Sequence, residues 1–280
     1  MNNFELFTLK KAGLTNLQIH KVLATQDSHK KSLSLKSIAL YSTCKNPVIF
    51  IEKYKQLDLK RCREEFNRFP SFSILDEIYP LELKQMYNPP VLLFYQGDLS
   101  LLEHPKLGVV GARSASSMGT QSIKKIISEL NNRFVIVSGL ARGIDTAAHM
   151  ATLKNGGKTI AVIGSGLAVH YPKENAVLQR YLAREHLLLT EYAADTPPLK
   201  YHFPERNRII AGLSQGIVVA EAKMRSGSLI TCERALEEGR DVFAIPGSIL
   251  DGKTAGCHHL IQEGAKCITS GLDVLSEYQI

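Results

Sequence analysis

Apolar positions follow two different patterns along this chain. Over residues 1–65 short apolar clusters return at roughly helical spacing, with Lys, Ser and Thr between them. Leu14, Leu17, Ile19, Val22 and Leu23 form one cluster; Val48, Phe50, Ile51 and Tyr54 form another. Breaks fall at Gly13, around residues 26–34 and at Asn46-Pro47, and no β-rich run intervenes. The pattern predicts a small all-helical domain over 1–65. From about residue 70 short β-branched or apolar runs recur: 91–95, 107–110, 134–137, 159–163, 187–190, 217–220 and 242–245. Most end in a Gly- or Ser-bearing loop that leads into a helical pattern, as at 117–130, 144–154, 174–184 and 228–238. Continuous apolar strands alternating with amphipathic helices predict a mostly parallel sheet covered on both faces, an extended Rossmann-like α/β domain over 66–280.

Composition narrows the setting. The 280 residues are 44% hydrophobic, enough for a sizeable core, and no uninterrupted apolar run is long enough to cross a membrane. The start Met1-Asn2-Asn3-Phe4-Glu5 has no basic stretch followed by an apolar one, so no export signal is expected. Five cysteines, Cys44, Cys62, Cys232, Cys257 and Cys267, are odd in number and show no CxxC pair, which fits a reducing cytoplasm. The net charge of +7 is unevenly placed: residues 1–65 hold 12 Lys and Arg against 6 Asp and Glu. That excess suits either an acidic partner or a solvated helical surface. Elsewhere the position of the cations matters more than their sum.

Ligands of such sheets bind at the carboxyl ends of the strands, where helix N-termini also point. Four stretches there carry the candidate chemistry. Gly111-Ala112-Arg113-Ser114 combines a tight turn with a planar cationic fork. Ser138-Gly139-Leu140-Ala141-Arg142-Gly143 follows the next strand, and Gly164-Ser165-Gly166 runs on to Tyr171-Pro172-Lys173. The fourth is read as a loop from Lys200 to Gly212, holding Tyr201, Phe203, Arg206, Asn207 and Arg208. Gly164-x-Gly166 lacks the third glycine of a dinucleotide fingerprint, and no ribose-binding acid follows at the usual distance, so no nucleotide cofactor is expected. Arg113, Arg142, Lys173, Lys200, Arg206 and Arg208 put cations on one rim, with Tyr171, Tyr201 and Phe203 among them. Cations that track a backbone, interleaved with rings on which bases stack, describe a single-strand nucleic-acid groove. The alternative is that the arginines pair with Asp145, Glu191 and Glu205 while the rings fill the core.

These stretches, in this order, resemble the DNA-processing protein A (DprA/Smf) family from about Tyr79-Pro80 to Gly264-Ala265. The most specific stretch is Phe203-Pro204-Glu205-Arg206-Asn207-Arg208-Ile209-Ile210-Ala211-Gly212. Glu221-Ala222, Ser226-Gly227-Ser228-Leu229-Ile230-Thr231, Gly239-Arg240 and Ala244-Ile245-Pro246-Gly247 follow at family spacing. The resemblance implies a sterile-alpha-motif-like N-terminal domain and an extended Rossmann core that binds single-stranded DNA. It also implies a homodimer that delivers incoming DNA to a RecA-type recombinase during natural transformation; some members also bind a competence response regulator. Carried over, the phosphate-contacting candidates are Gly111, Arg113, Ser138, Gly139, Lys173, Arg206 and Asn207. The family's dimer surface falls on 256–269, which makes His258, Leu260, Ile261 and Cys267 candidate contacts, the alternative being packing of the last sheet edge. Ala168 stands where the family often has Asp, Cys232 where a smaller residue is common, and His258 where Asn is frequent. With the sequence ending at Ile280, a winged-helix domain like that of longer members is not expected.

The rival reading is a nucleotide-processing enzyme of the nucleoside-monophosphate hydrolase type, whose Pro-Gly-Gly-x-Gly-Thr loop is here Arg225-Ser226-Gly227-Ser228-Leu229-Ile230-Thr231. Asp145, Glu191, Glu221 and Glu233 form no recognisable acid/base pair, His258-His259 has no further metal ligand at the right spacing, and no P-loop occurs. The expectation is a binding protein without catalytic residues or bound metal.

Overall fold

The computed structural model of the protein describes residues 1–26, 33–250 and 252–278, so most of the break expected around 26–34 lies outside the described residues. Five short helices open the chain: α1 (Asn3–Lys11), α2 (Asn16–Gln26), α3 (Leu35–Tyr41), α4 (Pro47–Lys55) and α5 (Leu59–Phe66). Their starts are set locally. Asn2 and Glu5 form a reciprocal capping box, Ser34 and Asp58 cap α3 and α5, and Pro47 occupies the first turn of α4.

Strands and helices then alternate: β1 (Ser71–Ser73), α6 (Leu81–Lys84), β2 (Leu92–Gly97), β3 (Lys106–Gly111), α7 (Ser117–Glu129), β4 (Val135–Ser138), α8 (Ile144–Lys154) and β5 (Thr159–Val162). After them come α9 (Ala176–Glu185), β6 (Leu187–Thr190), α10 (His202–Leu213), β7 (Gly216–Ala220), α11 (Gly227–Glu237), β8 (Asp241–Ala244), α12 (Ala255–Gln262), β9 (Lys266–Cys267) and α13 (Gly271–Leu275). They form one sheet in the order β1-β2-β6-β5-β4-β3-β7-β8-β9, parallel from β6 to β9, with β2 antiparallel to both neighbours. This is the extended Rossmann-like sheet with a helical segment ahead of it. The winding direction reverses between β3 and β7, and that switch point opens a crevice at the carboxyl ends of the strands.

Alternation along the strands sorts the core. Val110, Val137, Ile160, Val162, Leu189 and Val219 face one side, where Ile209, Leu213 and Leu229 from α10 and α11 cover them. Val109, Ile136 and Val218 face the other side, under Ile123, Ile127 and Ala148 from α7 and α8. Farther along that side, Val91, Phe94 and Leu188 are covered by Leu6, Phe7, Ile19 and Phe50 of the N-terminal helices. Phe7 and Phe66 stand edge-on to Phe94, with ring centroids 5.8 Å and 5.9 Å away. Among the described residues no helix is long and apolar enough to cross a membrane, and no cluster of three potential metal ligands occurs.

Two sequence expectations need correcting. The stretch expected to be a loop from Lys200 to Gly212 is mostly helix, α10. Pro204 does not prevent this, because a proline in the first turn removes no intrahelical hydrogen bond. Second, Leu260 is not an exposed interface anchor: it lies in the core under β8, and Ile261 packs against the same cluster. Cys267 on the short edge strand β9 is exposed, while His258 is half-buried with its ring hydrogen-bonded to Gly247 O at 3.0 Å.

Candidate nucleic-acid interface

The loop after β3 is held by close backbone contact. A Cβ on Gly111 would lie 2.1 Å from Ala220 O and 2.6 Å from Ile144 Cγ1, so no side chain fits where β3 meets β7. Gly111 thus shapes the crevice where β3 meets β7 and lines the groove there. Ser228, in the first turn of α11, donates to Gly111 O at 2.9 Å. Across the crevice Glu221 adopts left-handed backbone geometry (φ 50°), and its carboxylate accepts from Ser116 N at 2.6 Å and from the Ser116 hydroxyl. That same hydroxyl accepts from Gly119 N at 3.1 Å and caps α7. Both ends of the loop are tied down, and Arg113 projects from its middle, exposed and without an ion pair among the described residues.

The loop after β4 carries a buried polar centre. The Asp145 carboxylate, 6% exposed, accepts from Gly139 N at 3.2 Å and Ala141 N at 3.3 Å. Burial pushes its pKa up, opposed by the charge of Arg206. Arg206 itself is only 4% exposed and donates to Gly139 O and Val162 O. Burial pulls its pKa down to about 10, with Asp145 working against the shift. A Cβ on Gly139 would fall 2.4 Å from that guanidinium, so Gly139 makes room for Arg206. Ser138 is wholly buried, its hydroxyl donating to Val109 O at 2.7 Å. Arg206, Gly139 and Ser138 therefore build the floor of the site and do not reach its opening.

Arg208 departs from expectation too. Two positions beyond Arg206, it lies about 200° further round the helix. It points toward the N-terminal helices, donating to Asn88 O and pairing with Glu191. Glu191 is also bound by Lys10 at 3.2 Å and by Asn16 at 2.9 Å. Arg142 stays on the rim, paired with Glu174 at 3.0 Å where both side chains are largely exposed.

What remains at the opening is compact. Tyr171 and Phe203 lie 5.5 Å apart at 33°, and the Arg113 guanidinium sits 4.9 Å from the Phe203 ring centre. Beneath Tyr171 and Phe203 is a cavity of about 120 Å³. Beside it runs a groove of about 700 Å³ that reaches from Gly111 and Arg113 across Phe203 and Lys200 to Asn207 and Ser226. Asn207 is half-buried and donates to Gly227 O at 3.3 Å. Lys173, next to Pro172 of the cavity wall, and Lys200 are exposed and make no ion pair among the described residues. Lys223 and Arg225, exposed in the loop after β7, are further cations that the sequence reading passed over. Their signal was available: both follow the β7 run Ile217–Ala220 within a few residues.

Residues 71–279 match the family model of DNA recombination-mediator protein A, and residues 1–62 match the DNA processing protein A sterile alpha motif domain. The chain belongs to the DNA recombination-mediator protein A family. It is 62% identical over 279 residues to the DNA processing protein DprA of Streptococcus pneumoniae, covering 100% of this chain and 99% of that protein. The X-ray structure of DprA from that organism superposes with a TM-score of 0.98 at 61% identity, over 100% of this chain and 99% of that one. The DNA processing protein A of Helicobacter pylori, described for its unique single-stranded DNA binding mode, superposes with a TM-score of 0.67 at 28% identity. That match covers 76% of this chain and 99% of the other. In this member of the DNA recombination-mediator protein A family the crevice at the β3–β7 switch point is the part of the sheet that gathers exposed cations and rings together.

Proposed function

We propose that the switch-point groove binds single-stranded DNA and that the protein, acting as a homodimer in the cytoplasm, loads a RecA-type recombinase on the bound strand during natural transformation. One observation carries the first part: Arg113 and Lys200 line the groove with Tyr171 and Phe203 and stand without ion pairs among the described residues, and exposed Lys173 follows Tyr171-Pro172 directly in the chain. The one carboxylate lining the groove among the described residues, Asp145, is buried beneath them. Charge for the phosphates and rings for the bases meet there with no exposed carboxylate in the groove lining among the described residues, Glu174 pairing with Arg142 on the rim. The likeness to a relative described for single-stranded DNA binding and the family's recombination-mediator description support the same reading. Catalysis is not needed to account for three of the carboxylates weighed earlier. Asp145 supports a loop, Glu191 ties helices together and Glu221 anchors Ser116.

The domain division is proposed at residues 65 and 66. The contacts proposed for DNA are Arg113, Lys173, Asn207, Tyr171 and Phe203, with Lys200, Lys223 and Arg225 on the flanks. Arg113→Ala and Lys173→Ala are each expected to weaken single-strand binding and to lower the salt slope by roughly 0.7 for each phosphate left without its cation. The thermal midpoint should stay within about 2 °C of wild type, because both side chains are exposed. Salt-dependent anisotropy titrations read affinity and slope together. Unchanged affinity in both variants removes the groove assignment.

For the homodimer, β9 offers an edge strand with Cys267 exposed, the kind of edge a second copy can cover. Cys267→Arg is expected to yield a monomer in sedimentation velocity, since an unpaired charge at a buried contact is costly. A dimer that persists at micromolar concentration moves the interface elsewhere.

A further inference from the structure

The segment between β5 and α9 is a saddle between two recesses. On one side Gly164, Ser165, Tyr171 and Pro172 line the cavity of the main groove. On the other side Leu167, Ala168 and His170 line a second recess of about 490 Å³. The adjacent residues His170 and Tyr171 thus border different cavities. The floor of the second recess is apolar (Leu167, Ala183, Leu188), its wall carries the Phe69 ring, and Arg180 and Arg184 stand at its rim. No carboxylate lines it among the described residues. Gln179 is 1% exposed; its Nε2 donates to Val169 O at 3.1 Å, and its Oε1 has no partner.

Helix α9 extends this chemistry away from the groove. Leu182 and Gln179 face the interior. At 100° per residue the opposite face carries Val177, Arg180, Tyr181 and Arg184, with Lys173 leading in one turn earlier. Val177 is 71% exposed and Tyr181 is 42% exposed. Arg180 has no ion pair among the described residues. Arg184 has only its sequence neighbour Glu185, a solvent-exposed pair that a phosphate can replace at little cost. A solvated helix face ordinarily alternates charge sign and lacks exposed rings. This one presents cations with a tyrosine, directly downstream of a proposed phosphate contact.

We propose that a single strand held in the main groove crosses the saddle at His170–Lys173 and continues along α9. Its phosphates lie on Arg180 and Arg184, and a base enters the recess beside Phe69. The inference rests on the reading of the main groove as a single-strand site and adds to it a direction and a second contact zone. Ten residues of α9 span about 15 Å, room for roughly four further nucleotides. The unpaired Gln179 acceptor favours a ligand that brings a hydrogen-bond donor, as a base does and a bare phosphate does not.

The test compares oligothymidylates of about 6 and about 20 nucleotides, measured by anisotropy over a salt series. Wild type is expected to bind the longer strand more tightly and with a steeper salt slope. The double variant R180A/R184A should bind the short strand as wild type does. On the long strand it should lose about tenfold in affinity and about 1.4 in salt slope, two contacts at roughly 0.7 each. Alanine at these exposed helical positions is compatible with the fold. K53A/K55A, which removes the same charge from α4, is the control and should leave long-strand binding unchanged. Long-strand affinity and slope unaffected by R180A/R184A, or lowered equally by K53A/K55A, overturn the α9 path. Short-strand binding abolished by Arg113→Ala, together with either of those results, leaves the main groove standing and removes only its extension.

Discussion

Arg206→Ala is expected to lower the thermal midpoint by roughly 10 °C and to take strand binding with it, because the side chain is built into the floor of the groove. Its guanidinium is 4% exposed and bridges Gly139 O and Val162 O, joining the ends of β4 and β5 beneath the groove. It is also the cation nearest in effect to the buried Asp145. Removing it takes the guanidinium donor from two carbonyls and the largest opposing charge from buried Asp145, a destabilisation of about 3–5 kcal/mol. Lysine does not restore the site, since one ammonium cannot reproduce a fork that serves two carbonyls in fixed directions. Scanning calorimetry beside Arg113→Ala separates floor from rim: the first midpoint falls steeply and the second hardly moves. A midpoint within about 2 °C of wild type for Arg206→Ala would return this residue to the phosphate contacts.

A second large effect is expected at Glu191. Burial pushes its carboxyl pKa up, but Lys10 and Arg208, with hydrogen bonds from Asn16 and Lys10, outweigh burial and hold it at about 2. A carboxyl more acidic in the folded chain than its ordinary 4.5 stabilises the fold while ionised. That contribution is complete above about pH 4.5 and disappears as pH falls toward 2. Glu191→Gln is expected to cost about 3 kcal/mol at neutral pH, because Lys10 and Arg208 are left partly buried without their counter-charge. Its stability should also decline less steeply than that of wild type between pH 4.5 and 2. Urea denaturation across that range measures both. Parallel pH profiles for the two proteins would mean that Glu191 is not the group that titrates.

The sheet is legible in the sequence because buried parallel strands are continuous apolar runs. β6 falls on the run read at 187–190, and α8 on the pattern read at 144–154. β1, three residues long, and α6, four residues long, are too short to express any period, and the pattern does not predict them. In the α10 stretch the charged residues and the proline mask the spacing of Arg206, Ile209, Ile210 and Leu213, which places all four on one inward helix face. That spacing also carries the hint that Arg206 is buried. The rim falls at the right strand ends, since Gly and Ser follow the β3, β4 and β5 runs. Which cations reach solvent depends on partners far away in sequence: Glu191 for Arg208, Gly139 O for Arg206. Local pattern holds no record of those pairings. Lys223 and Arg225 escape a sequence reading that weighs their loop only for the glycines it lacks.

The aromatic contact of Phe7 and Phe66 with Phe94 and the four-way polar knot at Glu191 join the opening helices to the sheet through both oil and charge. A chain trimmed to begin at the first strand would present Val91, Leu92, Phe94 and Leu188 to water as a bare apolar face. The opening helices are then a lid welded to the vessel. Removing them changes solubility before it reports anything about what they recognise.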